Sequence, residues 1–136
     1  MIVADATVVA SLFVNSEVSE LAEAALRRDP VWAAPVLWRS EFRHTLARYV
    51  VAEQMTFEAA LLAMINAESA LAGREFAVSS TRVLDLAAQS RCPARDCEYV
   101  ALAEDLDVRL VTTDDGIVKA FPQRALSLEA FAKAKT

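Results

Sequence analysis

The chain has 136 residues, a hydrophobic share of 55%, a charged share of 24% and a formal net charge of −5. It contains only 2 glycines and 4 prolines, which excludes a disordered, collagen-like or linker-rich chain. The length predicts a single domain over 1–136. The acidic balance argues against a simple basic nucleic-acid binder, because attraction to phosphate needs a positive surface.

The first half of the chain begins with a short apolar run and continues with helical spacing. Apolar residues recur through 17–28 as in an amphipathic helix, and Pro30 ends that helix because the residue before a proline disfavours helical conformation. Pro35 opens a long helix and Gly73 closes the one after it. The predicted elements are a strand at 1–5, helices at 7–13 and 17–28, a strand at 31–34, and helices at 35–53 and 57–72.

The second half repeats this alternation. Ser79, Ser80 and Thr81 are typical caps before a helix, and Pro93 lies near the start of the next one. The predicted elements are a weak strand at 75–78, helices at 82–90 and 93–106, a strand at 109–112, a turn at 113–116, a strand at 125–128 and a helical tail. Short apolar strands that alternate with helices predict an α/β fold, a mostly parallel sheet of about five strands with helices on both faces.

The sequence gives no indication of a transmembrane helix or a signal peptide. No run of about 18 apolar residues is free of charge, so no transmembrane helix and no membrane partner are expected. Met1 leads straight into Ile2 without a basic segment, so we expect no signal peptide and a cytoplasmic protein. Cys92 and Cys97 lack the spacing of a zinc or thioredoxin motif, and a reducing compartment favours free thiols.

Acidic residues follow two of the predicted strands. Asp5 comes directly after the first strand, and Asp114 or Asp115 comes after the strand at 109–112. In an open parallel sheet, ligands bind outside the carboxyl ends of the strands. Aspartate is also a common cap and turn residue, so each acid alone has a structural explanation.

Two helical acids are predicted to face the same edge of the sheet. Asp96 shares a helix face with Val100 and Ala103, which places it at the top of the inward face. Complementing the helix dipole is the structural alternative for an acid in the first turn. Glu41 borders an apolar stripe that includes Trp38, and the alternative there is a salt-bridged glutamate.

Four carboxylates that meet at one edge repel one another, which raises their pKa values and costs stability. A divalent cation removes that repulsion. Ligands that are all oxygen suit Mg²⁺ or Mn²⁺, and such ions typically act on phosphate substrates. The residue pattern therefore predicts a Mg²⁺ or Mn²⁺ site.

Four segments resemble the motifs of PIN-domain ribonucleases. Residues 2–9 resemble their opening strand with Asp-x-Ser/Thr, and 35–46, which contain Ser40-Glu41, resemble the second acidic motif. Residues 95–104 resemble Asp-x-x-Tyr-hydrophobic-Ala-Leu-Ala, and 110–114 resemble Leu-hydrophobic-Thr-x-Asp. The four segments have the order and spacing of the family's motifs, and the resemblance covers the full length of the chain. The small size is similar to that of VapC-type toxins from type II toxin–antitoxin pairs.

This resemblance implies a PIN fold and a Mg²⁺- or Mn²⁺-dependent endoribonuclease. The catalytic and metal-binding quartet it implies is Asp5, Glu41, Asp96 and Asp114. It further implies that Thr7 orients the first aspartate or a metal-bound water, while an ordinary helix-start threonine is the alternative. The family spacing selects Asp114 over Asp115, for which we expect a turn role near the site.

The chain departs from the family pattern at its one histidine. Where many relatives carry asparagine three residues after the second acidic motif's glutamate, this sequence has His44. On a helix, His44 lies within one turn of Glu41. It would hydrogen-bond a phosphate, hold Glu41 in place, or fill space as a half-buried polar residue.

The resemblance also implies partners. An RNA substrate needs positive contacts on an otherwise acidic protein, and the candidates are Arg39, Arg43, Arg48 and Arg95. A homodimer, usual in the family, would join two such patches, with the apolar helix after Phe57 as an interface or as core. A cognate VapB-type antitoxin is the expected protein partner.

Two other functions compete with the nuclease. An inactive PIN-like scaffold would bind a protein partner only and would have no reason to bind Mn²⁺. A haloacid-dehalogenase-like phosphatase needs Asp-x-Asp after the first strand, whereas this chain has Asp5-Ala6-Thr7.

Overall fold

The computed structural model describes residues 1–134. Its strands are β1 (Ile2–Ala4), β2 (Trp32–Pro35), β3 (Glu75–Phe76), β4 (Leu110–Thr112) and β5 (Ala125–Ser127). Its helices are α1 (Ala6–Phe13), α2 (Ser19–Arg28), α3 (Leu37–Val51), α4 (Phe57–Ala70), α5 (Ser80–Ser90), α6 (Ala94–Leu106), α7 (Asp115–Ala120) and α8 (Leu128–Lys133). The predicted α/β fold is confirmed.

All strands described form one parallel sheet in the order β3-β2-β1-β4-β5. Val3 of the central strand pairs with Ala33 on one side and with Leu110 on the other. The chain fills the sheet on one side of β1 first and then crosses to the other side. The strand order therefore reverses between β1 and β4, and a crevice is expected at their carboxyl ends.

Helices cover both faces of the sheet. α1 packs against α2, α3 and α4, and α8 packs against α2, which makes one layer. α5 packs against α6, which lies across β1, β2 and β4. The chain adds β2 and β3 on one side of β1, and then β4 and β5 on the other side. Because parallel crossovers are right-handed, the helices of these two halves lie on opposite faces of the sheet. Among residues 1–134, no helix is long and apolar enough to cross a membrane.

The core lies between the central strands and the two helical layers. Every residue of β1, β2 and β4 is buried, as expected for a parallel sheet covered on both faces. Trp38 and Phe42 of α3 are fully buried, with ring centroids 6.3 Å apart. Full burial of a side chain such as Phe42 stabilises the fold by about 1.5–3 kcal/mol.

At two places the structure differs from the prediction in the kind of element, beyond shifts of one or two residues at the ends. Pro35 is the last residue of β2 and pairs with Phe76, so α3 begins only at Leu37; a strand end tolerates the missing N–H. The turn predicted at 113–116 continues into α7, because the Asp114 carboxylate caps the backbone N–H groups of Gly116 and Ile117. Gly116 is a poor helix former, which obscured this helix in the sequence.

Candidate active site

The four predicted carboxylates line one cavity at the carboxyl ends of β1 and β4. The cavity has a volume of about 400 Å³. Asp5 follows β1 and Asp114 follows β4, while α3 contributes Glu41 and α6 contributes Asp96. The remaining lining residues are Ala6, Thr7, Tyr99, Thr113 and Ile117. Thus four separate segments of the chain converge at the point where the strand order reverses.

Asp5 is the most rigidly held of the acids. It is buried and caps α1, since its Oδ1 accepts the backbone N–H of Val8 at 2.9 Å. Its Oδ2 accepts the hydroxyl of Thr112 and the backbone N–H of Thr113, the latter at 3.4 Å. Burial raises the pKa of Asp5, and the charge of Glu41 adds to this rise, while the three hydrogen bonds oppose it.

Glu41 is positioned by Tyr99. The Tyr99 hydroxyl donates to Glu41 Oε1 at 2.5 Å, and the tyrosine is only 2% exposed. Burial and this hydrogen bond to a carboxylate raise the pKa of Tyr99 far above its ordinary value. Tyr99 therefore stays protonated and acts as a fixed donor that orients Glu41.

Asp96 differs from these two acids in having a free carboxylate. It lies half-buried in the first turn of α6, and its side chain has no hydrogen-bond partner within residues 1–134. Burial raises the pKa of Asp96, the negative charge of Asp114 raises it further, and Arg95 lowers it. The pKa of Asp96 is therefore raised mainly by burial, and the charge of Arg95 offsets only part of the rise.

Asp114 is exposed and serves as the cap of α7. Its Oδ1 accepts the backbone N–H groups of Gly116 at 2.8 Å and Ile117 at 3.2 Å. Its own backbone N–H donates to the Thr112 hydroxyl at 3.0 Å. Because Thr112 also donates to Asp5, this one buried hydroxyl links the loops after β1 and β4.

Sequence reasoning did not single out Tyr99 or Thr112. Each had a signal. Tyr99 lies three residues after Asp96, on the neighbouring turn of the same helix, inside the segment that resembles the third motif. Thr112 is a polar residue in an apolar strand, and a buried hydroxyl needs a partner.

Of the other predicted residues, Thr7 lines the cavity, whereas His44 and Asp115 do not. His44 is exposed on α3 and makes no hydrogen bond to Glu41 in the described chain. Asp115 is the first residue of α7 and is exposed. The candidate role of His44 in holding Glu41 therefore falls to Tyr99.

The four candidate RNA contacts have different surroundings. Arg39 is engaged within the protein: it donates to Glu75 at 2.5 Å and 2.7 Å, and it also pairs with Glu68. Arg43, Arg48 and Arg95 are exposed, and among residues 1–134 none of the three forms a salt bridge. Their guanidinium groups are available to phosphate.

The donor set of the cavity has the chemistry of a site for a hard cation. All four acids offer carboxylate oxygens, and no Lys or Arg of residues 1–134 lines the cavity. Within that same range, however, no three acidic, histidine or cysteine side chains converge closely enough to enclose an ion. The Asp96 carboxylate has no hydrogen-bond partner within residues 1–134, so turning it towards the other acids would break no hydrogen bond. The ligand type therefore suits Mg²⁺ or Mn²⁺. To enclose the ion, the acidic side chains would have to move closer together.

Two solved structures are similar to this one. PAE2754 from Pyrobaculum aerophilum superimposes with a TM-score of 0.77 at 17% identity, covering 96% of this chain and 92% of its own. FitAcB from Neisseria gonorrhoeae gives a TM-score of 0.71 at 17% identity, covering 94% of this chain and 98% of its own. The chain has a PIN-like fold.

This likeness establishes the PIN-like architecture along nearly the full described chain. No protein-family model and no curated protein matches the sequence. At 17% identity, the similarity to these two structures shows the fold and not the activity. The chemistry of the PIN-like cavity has to be argued from its own residues.

Proposed function

We propose that this protein is a Mg²⁺- or Mn²⁺-dependent endoribonuclease and the VapC-like toxin of a toxin–antitoxin pair. The observation that carries the proposal is the convergence of Asp5, Glu41, Asp96 and Asp114 on one cavity that no Lys or Arg of residues 1–134 lines. Unpaired carboxylates cost stability, and groups kept at such a cost are candidates for function. The PIN-like fold and the four sequence motifs support the same activity.

The four acids would hold the ion. When bound, it supplies charge neutralisation and an activated water for hydrolysis of a phosphodiester. Asp5 is held by Thr112 and Val8, and Glu41 is held by Tyr99, so both carboxylates are fixed before substrate arrives. Hydrolysis breaks one P–O bond and adds water across it, which requires no covalent bond to the protein.

RNA needs positive charge near the cavity, because the four carboxylates repel its phosphates. Arg95 lies next to Asp96 on α6, and Arg48 lies on α3 beyond Glu41. Both are exposed, and the structure describes no salt bridge for either. We propose these two as the phosphate contacts, whereas Arg39 is used to hold β3 to α3 and α4.

A protein partner is supported by an exposed apolar face on α4. Phe57, Leu61, Leu62 and Ile65 are 64%, 49%, 59% and 51% exposed. They recur at helical spacing, so they form one patch. Exposed apolar patches of this kind mark contact surfaces. We assign it to protein contacts, either in a homodimer or with a VapB-type antitoxin.

The test is cleavage of a labelled mixed RNA pool by purified protein. We expect cutting with Mn²⁺ or Mg²⁺, none with EDTA, and none by Asp96→Asn. Asp105→Asn is the matched control, since Asp105 is an exposed acid on the same helix, and it should cut like the native protein. Cleavage that survives EDTA, or that survives Asp96→Asn at full rate, would refute the metal-dependent site.

A Mn²⁺ titration separates the nuclease from the inactive scaffold. The scaffold is favoured by one observation: no three potential ligands converge within residues 1–134. A folded protein that binds no Mn²⁺ and cuts no RNA would be that scaffold. Saturable Mn²⁺ binding that is lost in Asp96→Asn supports the nuclease.

A further inference from the structure

Two further cavities lie beside the acidic cavity, along α1 and α3. A second cavity of about 310 Å³ shares Thr7 with the acidic one. A third cavity of about 320 Å³ shares Thr45 and Tyr49 with the second. The three cavities are therefore neighbours along α1 and α3, and we call the two outer ones together the α1–α3 groove.

The floor of the groove is one face of α3. Glu41, Thr45 and Tyr49 are spaced four residues apart, so they lie on successive turns of that face. Glu41 belongs to the acidic cavity, and Tyr49 lies about 12 Å further along the helix axis. A chain that enters the acidic cavity along α3 passes Tyr49 first and then Thr45.

The lining combines small hydroxyls with one aromatic ring. Thr7, Ser11, Ser16 and Thr45 contribute hydroxyl groups, and Tyr49 is half-buried between the two outer cavities. In addition, Ala10, Val14 and Val18 make the second cavity largely apolar, and Glu17 is its one charged residue. The third cavity contains Arg48, an exposed cation in the last turn of α3.

We infer that the α1–α3 groove holds the RNA strand beside the cleaved phosphate, with a base stacked on Tyr49 and a phosphate against Arg48. This inference rests on the proposed endoribonuclease function. Each cavity has the size of a small-ligand site. An aromatic side chain beside a cation is how proteins hold single strands without reading their sequence. A protein helix would instead fit the broad apolar patch on α4.

The test uses a short random-sequence RNA that carries 4-thiouridine and a fluorescent label, with Ca²⁺ in place of Mn²⁺ so that the RNA stays intact. We expect ultraviolet crosslinks in the peptide that contains Tyr49. Tyr49→Ala should raise the Kd from fluorescence anisotropy by at least about five-fold. Tyr49→Phe keeps the ring and is expected to bind like the native protein.

Arg48→Gln should weaken RNA binding and lower the salt slope of the Kd by about one. Its matched control is Arg27→Gln, because Arg27 is an exposed arginine in the last turn of α2 and lines none of the three cavities. Unchanged affinity in both Tyr49→Ala and Arg48→Gln, or crosslinks only outside the groove, would overturn the inference.

These readouts distinguish the groove from the activity. Groove crosslinks without any metal-dependent cleavage would refute the endoribonuclease and keep the groove as an RNA site. Metal-dependent cleavage with an unchanged KM in Tyr49→Ala would refute the groove alone. A change of oligomeric state in Tyr49→Ala without loss of RNA affinity would assign the groove to a protein partner and overturn the inference.

Discussion

Carboxylates are treated in opposite ways in two regions of this molecule. Beside β3, Glu75 accepts two hydrogen bonds from Arg39 and one from the indole of Trp38, and Arg39 lowers the pKa of Glu75. In the acidic cavity, burial and neighbouring negative charge raise the pKa values of Asp5 and Asp96. The first region pairs its acids with an arginine, whereas in residues 1–134 no salt bridge involves an acid of the second.

The difference shows what each region is for. The cluster of Arg39, Glu68 and Glu75 ties the short edge strand β3 to α3 and α4, so it is part of the fold. The acidic cavity makes the native protein less stable than a neutral cavity would. Carboxylates arranged at such a cost are suited to binding positive charge.

The largest effect on Mn²⁺ binding and cleavage is expected from neutralising an acid of the cavity. A salt-bridged acid on the same helix, α6, is the comparison. Asp96→Asn should weaken Mn²⁺ binding and lower kcat by more than about 100-fold, since charge stabilisation by the ion contributes several kcal/mol. Glu104→Gln should change neither, because Glu104 pairs with Arg82 at the surface. Calorimetric Mn²⁺ titration and single-turnover cleavage measure both. Equal effects of the two variants would contradict the contrast.

Removing the hydroxyl that orients Glu41 comes next. Tyr99→Phe keeps the buried ring and loses the 2.5 Å hydrogen bond, so Mn²⁺ affinity or kcat should fall by about 10–100-fold with little change in KM. Tyr49→Phe alters the other tyrosine of the chain, which makes no contact with Glu41, and should leave Mn²⁺ affinity unchanged. A loss of stability with native Mn²⁺ affinity would mean that Tyr99 has only a structural role.

Breaking the paired cluster should cost stability and leave the cavity intact. Glu75→Leu leaves the indole N–H of the fully buried Trp38 without an acceptor. An unsatisfied buried donor costs about 1–3 kcal/mol. Glu68→Gln leaves that hydrogen bond in place and should cost less. Urea unfolding gives both free energies. Native Mn²⁺ affinity in both variants is expected, and its loss would show that the two regions are coupled.

The smallest effect is on the pH dependence of the metal-free protein. Because their pKa values are raised, the carboxyls of Asp5 and Asp96 bind more protons in the folded state than in the unfolded state above about pH 4. In EDTA, the free energy of unfolding should therefore fall as pH rises from about 4 through these raised values, then level off. Asp96→Asn should flatten part of this fall, and an equally steep fall would show that Asp96 does not contribute.

The strands and most of the helices could be predicted from local sequence pattern, but not all of the residues at which they begin and end. Apolar strands, helical spacing and caps such as Ser79 are local properties, so the parallel α/β fold followed from them. The start of α3 was misplaced because Pro35 suits a helix start as well as a strand end. The choice depended on pairing with Phe76, a residue far along the chain.

For the site, the sequence by itself determined which acids follow strands or face inward on helices, and these four acids line one cavity. Only the tertiary structure decided how they are held. Thr112 bridges the loops after β1 and β4, and Tyr99 meets Glu41 from another helix. It likewise decided that Arg39 pairs with Glu75, while His44 makes no hydrogen bond to Glu41 and does not line the cavity. Such contacts join residues that are distant in sequence. Local spacing marks Tyr99 and Thr112 as candidates but does not show which residues they meet.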